Sequence, residues 1–204
     1  MSSDLTEKEM ALIRQGIKEK YVRVAQTGSG GCFQYPTGAE GMRLQGYPLD
    51  LVKDFPKTIL DSFCGVGNPF SLGPIREGEV VLDIGCGAGV DTLMAARMVG
   101  PKGRVVGLDV TEEMIQRAGA NLSLVPSLNN VSFQVGETES LPFPDKEFDV
   151  IISNGVFNLT LNKAKALKET YRVLKPGGRL LLADMVLVAE LPQERAGNVE
   201  NWYQ

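Results

Sequence analysis

From residue 79 onwards, short apolar runs alternate with amphipathic segments, and this alternation restricts the fold more than any other feature of the sequence. The apolar runs are rich in β-branched residues, which is typical of buried strands in a parallel sheet. Strands are predicted at 80–85, 104–110, 131–136, 148–154 and 179–188. Helices are predicted between them, among them 90–99 and 162–174. Because parallel strands need long crossover connections, the pattern predicts an α/β fold with a doubly wound parallel sheet.

The part of the chain before this alternation, residues 1–74, has a different pattern. Thr6 and Glu9 have the spacing of a capping box, and apolar residues then recur every three or four positions. The predicted elements are a helix over 6–26, a glycine-rich loop over 27–48 and a second helix over 49–61. We therefore divide the chain into a helical and loop-rich cap segment, 1–74, and a core, 75–204.

The composition excludes several classes of protein. The 204 residues carry a net charge of -4, whereas a nucleic-acid-binding surface needs a basic stripe. No apolar run reaches the roughly 18 residues of a membrane-spanning helix, and the polar, acidic start is unlike a secretory signal. With three unevenly spaced cysteines and no histidine, we expect a cytoplasmic protein without a disulfide framework, a metal site, or a nucleic-acid or membrane partner.

The first predicted strand runs into a glycine loop, DIGCGAG at 83–89. Glycine has no Cβ, so a ligand can press against the bare backbone of such a loop. At the carboxyl end of a parallel strand, the loop faces the crevice where ligands bind in this fold class. Asp109 ends the second strand, where a carboxylate can accept both hydrogen bonds of a ribose diol. Each feature also has a purely structural interpretation, the glycines as a turn and the aspartate as a helix cap.

Two details of the loop favour one class of nucleoside. Val90 stands where a dinucleotide-binding loop requires its third glycine. Asp83 would repel a pyrophosphate and attract a cation. S-Adenosylmethionine carries an ammonium and a sulfonium group and has no phosphate, so the sequence favours this cofactor over NAD.

Polar residues also follow the third and fourth predicted strands. Glu137 and Thr138 lie in an acidic turn that could hold an adenine amino group, although a solvated turn explains the same charges. Asn154 ends the fourth strand. Because the carboxyl ends of parallel strands meet at one edge of the sheet, we expect these residues at the same crevice.

These segments together resemble the class I S-adenosylmethionine-dependent methyltransferases. DIGCGAG, GLDVTEEM and GETESLPFPDKEFDVIISN are similar to successive motifs of that family, and LKETYRVLKPGGRLLLADM is similar to its approach to the fifth strand. The arsenite methyltransferase group is the nearest likeness, through VGPKGRVVGLDVTEEM, SNGVFNL, LVAELP and the segment 67–69. Quinone-type C-methyltransferases come next. The resemblance implies a Rossmann-like fold and transfer of a methyl group to a small acceptor.

The resemblance also implies a role for each matching position. The methionine part of the cofactor would be lined by Asp83, Gly85, Cys86, Gly87 and Gly89. The adenosine part would be held by Asp109 at the ribose, by Val110, Thr111 and Met114 along its border, and by Glu137, Thr138 and Glu139 at the adenine. Asn154 would lie near the reacting end. No catalytic residue is assigned, and Asp184 is only a candidate base.

The sequence departs from the arsenite group at the thiols that hold As(III), a soft metalloid. Gly155 and Val66 stand where two cysteines of that group belong. Cys64 lies two residues before Val66, and Cys32 lies in the N-terminal loop. We treat Cys32 and Cys64 as candidate substrate ligands, with the alternative that both are ordinary small residues.

The C-terminal end departs from the family as well. Class I methyltransferases normally add an antiparallel strand pair beside the fifth strand, and this sequence ends before any such pair. The fifth strand would then be an open sheet edge. The apolar residues expected to make this edge prone to pairing are Leu180, Leu181, Leu182, Val186 and Val188. We expect this edge either to pair with another copy in a homodimer or to be covered by the N-terminal helix.

The sequence leaves three functional interpretations open. The first is a methyltransferase for a small acceptor, either arsenite or a related soft nucleophile, or a quinone or other C- or O-methyl acceptor. The second is an NAD-dependent oxidoreductase, which Val90 and Asp83 disfavour. The third is a cofactor-binding module without catalysis, which Gly155 and the early end of the chain make plausible.

Overall fold

The computed structural model describes residues 5–188 and Trp202, and within them it contains a five-stranded parallel sheet in the order β3-β2-β1-β4-β5. The strands are β1 (Val80–Ile84), β2 (Arg104–Asp109), β3 (Val131–Val135), β4 (Phe148–Asn154) and β5 (Leu174–Ala183). Every ladder between them is parallel. The predicted α/β fold is confirmed, and the order places the point where the winding reverses between β1 and β4.

Helices connect the strands where the alternation predicts them. In the core these are α4 (Val90–Val99), α5 (Glu112–Ser123) and α6 (Lys163–Val173). For 90–99 and 148–154 the predicted bounds agree with the structure. Both segments are apolar, and they lie between sharp breaks in the pattern.

The cap segment is more broken than the sequence predicts. The predicted first helix is confirmed as α1 (Glu7–Thr27), with a complete capping box between Thr6 and Glu9. The predicted loop contains a short helix, α2 (Gly38–Leu44). The predicted helix over 49–61 is wrong, because Pro56 cannot continue a helix. In its place are a 3-10 turn at Leu49–Val52 and α3 (Lys57–Leu60), followed by a second 3-10 turn at Pro69–Leu72.

Apolar side chains cover both faces of the sheet. Because successive strand residues point to opposite faces, Val81 packs against α4 while Leu82 packs on the other side with Phe148 and Val173. A third cluster joins Phe63 and other cap residues to Leu93 of α4. The cap segment and the core therefore share buried apolar surface. The division at 74/75 remains a prediction.

The last strand ends earlier than the predicted 179–188. Its pairing with β4 stops at Asn154 and Ala183, because β4 itself ends there and offers no further backbone partners. Leu181 is buried, whereas Val186 and Val188 lie beyond the strand and are exposed. The N-terminal helix packs against α5 and not against β5, so the expected cover of this edge by α1 is wrong.

Two expectations about the C-terminal end and one about the whole chain are left to report. Pairing of the β5 edge with another copy remains a prediction. The segment LVAELP, used in the resemblance, lies partly outside the described residues. The described helices include none that is long and apolar enough to cross a membrane.

Candidate functional site

A cavity of about 280 Å³ opens at the carboxyl ends of β1, β2 and β4. Its inner wall is built by the loops that follow these strands, and its outer wall by α1 and by residues 62–65 of the cap segment. This is the edge of a doubly wound sheet where ligands bind, at the point where the winding reverses. The structure thus brings the glycine loop and the polar strand ends together, as the sequence predicts.

The glycine loop turns sharply at the end of β1. The backbone N–H groups of Gly85 and Cys86 both donate to the carbonyl of Leu108, at 2.7 and 2.9 Å, which ties the loop to β2. Gly85 has φ +71°, and a Cβ there would lie 2.2 Å from Val156. Gly87 has φ +51° with open space where its Cβ would be. Bare backbone therefore faces the cavity at Gly87.

Not every predicted loop residue reaches the cavity. Cys86 lines it but is buried, with its thiol close to the carbonyl of Gly87, and burial holds the pKa of this thiol well above its ordinary value. Gly89 is absent from the lining. A Cβ at Gly89 would collide with Phe133, so this glycine lets α4 approach the sheet.

Asp109 lies at the end of β2 with its carboxylate turned toward the loop. One oxygen accepts from the N–H of Gly87 at 2.9 Å and the other from the N–H of Thr111 at 2.8 Å. Burial raises the pKa of Asp109, and these backbone donors oppose that rise. Each carboxylate oxygen keeps a second lone pair, so the group can still accept from a diol.

The residues after Asp109 divide between the cavity and the core. Val110 and Thr111 line the cavity. The hydroxyl of Thr111 is buried beside the Asp109 carboxylate and helps to lower the pKa of that group. Met114 does not line the cavity, because it packs with Val24 and Ala88 beneath α1.

The acidic turn after β3 also reaches the cavity. Glu137, Thr138 and Glu139 all line it, on the side of Asp109 and Thr111. The Glu139 carboxylate already uses part of its hydrogen-bonding capacity, because one of its oxygens accepts from the N–H of Asn162 at 3.1 Å. The other two side chains remain available at the predicted adenine edge.

Asn154 lines the cavity, but its amide is used by the protein. The oxygen accepts from the N–H of Val66 at 2.8 Å and of Gly67 at 3.2 Å. The nitrogen donates to the Tyr47 hydroxyl at 2.9 Å and to Asp91 at 3.0 Å. The side chain therefore joins the cap segment to the sheet.

Two buried carboxyl groups lie close together beneath the glycine loop. Asp83, at the end of β1, accepts from the Thr92 hydroxyl at 2.6 Å. Its pKa is raised by burial and by the charge of Asp91. Burial also raises the pKa of Asp91, to about 6, while hydrogen bonds from Asn154 and Tyr47 oppose the rise.

Sequence reasoning missed Asp91 and Tyr47. An aspartate in the first turn of a helix is the ordinary choice there, so Asp91 carries no distinguishing signal. Tyr47 falls in the segment predicted as a loop. Their place in the site becomes evident only from the fold, which puts both side chains in hydrogen-bond contact with Asn154.

The two candidate substrate thiols lie on the cap side. Cys64 lines the cavity, and burial followed by the charges of Asp109 and Asp91 raises its pKa to about 12. Cys32 does not line the cavity but packs at the edge of the cluster around Met114. Lys20 of α1 lies near both cysteines, and burial lowers the pKa of its ammonium group. The fold thus brings Cys32 and Cys64 near one another around α1.

Asp184, the candidate base, does not line the cavity. Its carboxylate accepts from the N–H groups of Asn158 and Met185, which caps the chain as it leaves β5. Burial raises the pKa of Asp184. These contacts give it a structural role at the end of the sheet.

The sequence is similar to a family of known proteins and to individual members of it. A family model described as a methyltransferase domain matches residues 75–204. An arsenite methyltransferase of Halobacterium salinarum is 38% identical over 194 residues, covering 89% of this chain and 49% of the relative. The ubiquinone/menaquinone biosynthesis C-methyltransferase UbiE of Enterobacter sp. is 45% identical over 111 residues, covering 54% of this chain and 44% of the relative. The chain therefore spans about half the length of these relatives.

Solved structures of methyltransferases also match this chain. CrArsM, an arsenic (III) S-adenosylmethionine methyltransferase from Chlamydomonas reinhardtii, superposes with a TM-score of 0.64 at 37% identity. The match covers 78% of this chain and 53% of that one. A SAM-dependent methyltransferase from Aquifex aeolicus gives a TM-score of 0.54 at 31% identity, covering 72% of this chain and 79% of that one.

Proposed function

Because this chain belongs to the methyltransferase domain family, we propose that it transfers a methyl group from S-adenosylmethionine to a small acceptor, with a soft nucleophile such as arsenite as the first acceptor to test. The family match covers the segment that carries the glycine loop and Asp109. The choice of acceptor is supported by two relatives, the arsenite methyltransferase of Halobacterium salinarum and the arsenic (III) methyltransferase CrArsM of Chlamydomonas reinhardtii.

One observation carries the proposal: the cavity combines bare backbone with two buried carboxyl groups and a third that is half-buried. Asp83, Asp91 and Asp109 all line it, and Gly87 leaves open space beside them. The negative charges of Asp91 and Asp109 would repel a pyrophosphate and attract a cationic nucleoside. The residues therefore fit S-adenosylmethionine and not NAD.

The cofactor supplies a methyl group on a positively charged sulfur, which becomes a neutral thioether when an acceptor lone pair takes the methyl carbon. The protein contributes alignment and a site shielded from water. Asp109 would hold the ribose, and the backbone at Gly87 would lie along the amino-acid part. Glu137 and Thr138 would edge the adenine.

The acceptor would be bound on the cap side by thiols. Arsenous acid condenses with neutral thiols: two As–S bonds form, two As–O bonds break, and two water molecules leave. The raised pKa of Cys64 keeps its thiol neutral at pH 7, which suits this condensation. The absence of histidine is no obstacle, since the arsenic lone pair needs no base to attack a methyl group.

Calorimetry tests the cofactor directly. We expect S-adenosylmethionine and S-adenosylhomocysteine to bind and NAD to give no signal, because the carboxyl-lined cavity disfavours phosphate. Binding of NAD in preference to the other two would discard the methyltransferase proposal. Binding without turnover of arsenite, thiols or quinols would leave a cofactor-binding module without catalysis.

Serine variants test the thiols. We expect Cys64→Ser and Cys32→Ser each to lower arsenite affinity by about tenfold or more, since serine offers a hard oxygen to a soft metalloid. Ser123→Ala is the control, because this exposed hydroxyl on α5 does not line the cavity, and its arsenite affinity should be unchanged. If the double Cys32→Ser, Cys64→Ser variant binds arsenite as the wild type does, the metalloid acceptor is excluded.

A quinone-type acceptor is the second candidate, favoured by the 45% identity to UbiE over 111 residues. Methyl transfer to a quinol that persists in the double cysteine variant would support it. Loss of that transfer together with arsenite methylation would instead indicate that the cysteines are needed for folding.

A further inference from the structure

The chain that follows β4 builds one wall of the cavity. Residues 155–162, between β4 and α6, are called here the β4–α6 loop. Val156, Leu159, Thr160 and Leu161 of this loop line the cavity. A loop has no strand partners for its backbone, so the position of this wall depends on the groups that bond to its N–H and carbonyl groups.

Two side chains bind three successive carbonyl groups of the loop. Lys163 Nζ donates to the carbonyls of Asn158 and Thr160, at 3.3 and 2.8 Å. The carbonyl between them, that of Leu159, accepts from Trp202 Nε1 at 3.0 Å. The Lys163 ammonium also lies 5.1 Å from the centre of the Trp202 ring, within the range of a cation–π contact. Trp202 and Lys163 therefore hold this stretch of backbone together.

The N–H side of the loop is held as well. The N–H of Asn158 donates to Asp184 at 3.0 Å, and the N–H of Asn162 donates to Glu139 at 3.1 Å. Trp202 is half-buried and is not among the described residues that line the cavity. Its effect on a ligand must therefore pass through the loop.

We infer that Trp202 is a positioning residue for the ligand in the cavity, acting through the carbonyl of Leu159. By fixing that carbonyl together with Lys163, it keeps the side chains of Leu159 and Leu161 against the ligand. The inference rests on the proposed function, which gives S-adenosylmethionine and its product S-adenosylhomocysteine as the ligands. Coupling between two contacts is reciprocal, so a ligand whose affinity depends on the Trp202 hydrogen bond also stabilises that bond.

Fluorescence of the wild-type chain tests this reciprocity. The sequence contains one tryptophan, so the emission reports on residue 202 alone. We expect S-adenosylhomocysteine to shift this emission to shorter wavelength, because the ligand displaces water from the wall and stabilises the indole contact. Excitation at the red edge of the tryptophan absorption avoids the adenine, and the midpoint of the titration should equal the Kd from calorimetry. A residue that only anchors the chain would show no shift at saturation.

Two variants test the hydrogen bonds themselves. Trp202→Phe keeps a ring beside Lys163 and removes the N–H, so we expect the affinity for S-adenosylhomocysteine to fall by about threefold. Lys163→Met removes a charged donor to two carbonyls, and we expect a fall of about tenfold. Tyr171→Phe and Lys168→Met are the matched controls, because both side chains are exposed on α6 and neither lines the cavity. Calorimetry should give them the wild-type affinity.

Each outcome decides the matter. Emission that does not move while calorimetry shows binding would overturn the inference and leave the proposed function standing. Wild-type affinity in both Trp202→Phe and Lys163→Met would do the same. If Trp202→Phe does not fold, the emission of the wild type decides alone. Failure of the wild type to bind either ligand would overturn the proposed function, and this inference with it.

Discussion

Replacing Asp109 by alanine is expected to weaken binding of S-adenosylmethionine by about a hundredfold, because two hydrogen bonds to a charged acceptor contribute at least about 1.5 kcal/mol each. The carboxylate also holds the N–H groups of Gly87 and Thr111, so its loss loosens the loop against which the ligand lies. Calorimetry measures the affinity, and thermal unfolding shows whether the variant remains folded.

Two comparisons make this prediction specific. Asp50→Ala removes an exposed carboxyl group that does not line the cavity, and its affinity should equal that of the wild type. Adenine alone lacks the ribose, so its weak binding should respond little to Asp109→Ala. An affinity for S-adenosylmethionine within threefold of wild type would show that Asp109 does not hold the ribose.

Alanine at Gly85 and at Gly87 should produce opposite defects. At Gly85 the new methyl group would meet Val156 at 2.2 Å in a left-handed backbone, so we expect a loss of about 2–5 kcal/mol in the free energy of unfolding. At Gly87 the methyl group enters open space, so stability should fall by only about 1–2 kcal/mol. The added methyl group would instead fill space that the cofactor needs, and we expect a loss in cofactor affinity of about a hundredfold.

Denaturant unfolding and calorimetry on both variants test this pair. If Gly87→Ala binds the cofactor as tightly as the wild type, the open space beside Gly87 is not where the ligand lies. If Gly85→Ala is as stable as the wild type, Val156 moves aside more readily than a β-branched side chain in a packed wall should.

Features set by local chemistry were the ones that sequence reasoning predicted well. The capping box at Thr6 and Glu9, the strand at 148–154 and the glycine loop each depend on a few consecutive residues. The edge of the sheet at which Asp83 and Asp109 meet follows from parallel pairing alone. Most predicted site residues therefore line the cavity.

Features set by distant partners were missed. β5 ends where β4 ends, and no pattern within 179–188 carries that information. The helix predicted over 49–61 ignored Pro56, and Arg97, which donates to the carbonyl of Leu51, holds the resulting break in place. Gly89 and Met114 match the family motif but face the core, because the helices above them pack closely.

The contacts of Asn154 have a consequence for synthesis of the chain. Its partners Tyr47 and Gly67 precede it by 107 and 87 residues. At a translation rate of about 5–20 residues per second, Tyr47 waits roughly 5–20 s for Asn154 to be made. For the first part of that interval, until α4 and β3 are made, Tyr47 and Phe63 lack the residues of those elements against which they pack in the folded chain. The nascent cap segment would therefore expose apolar side chains until these later elements leave the ribosome.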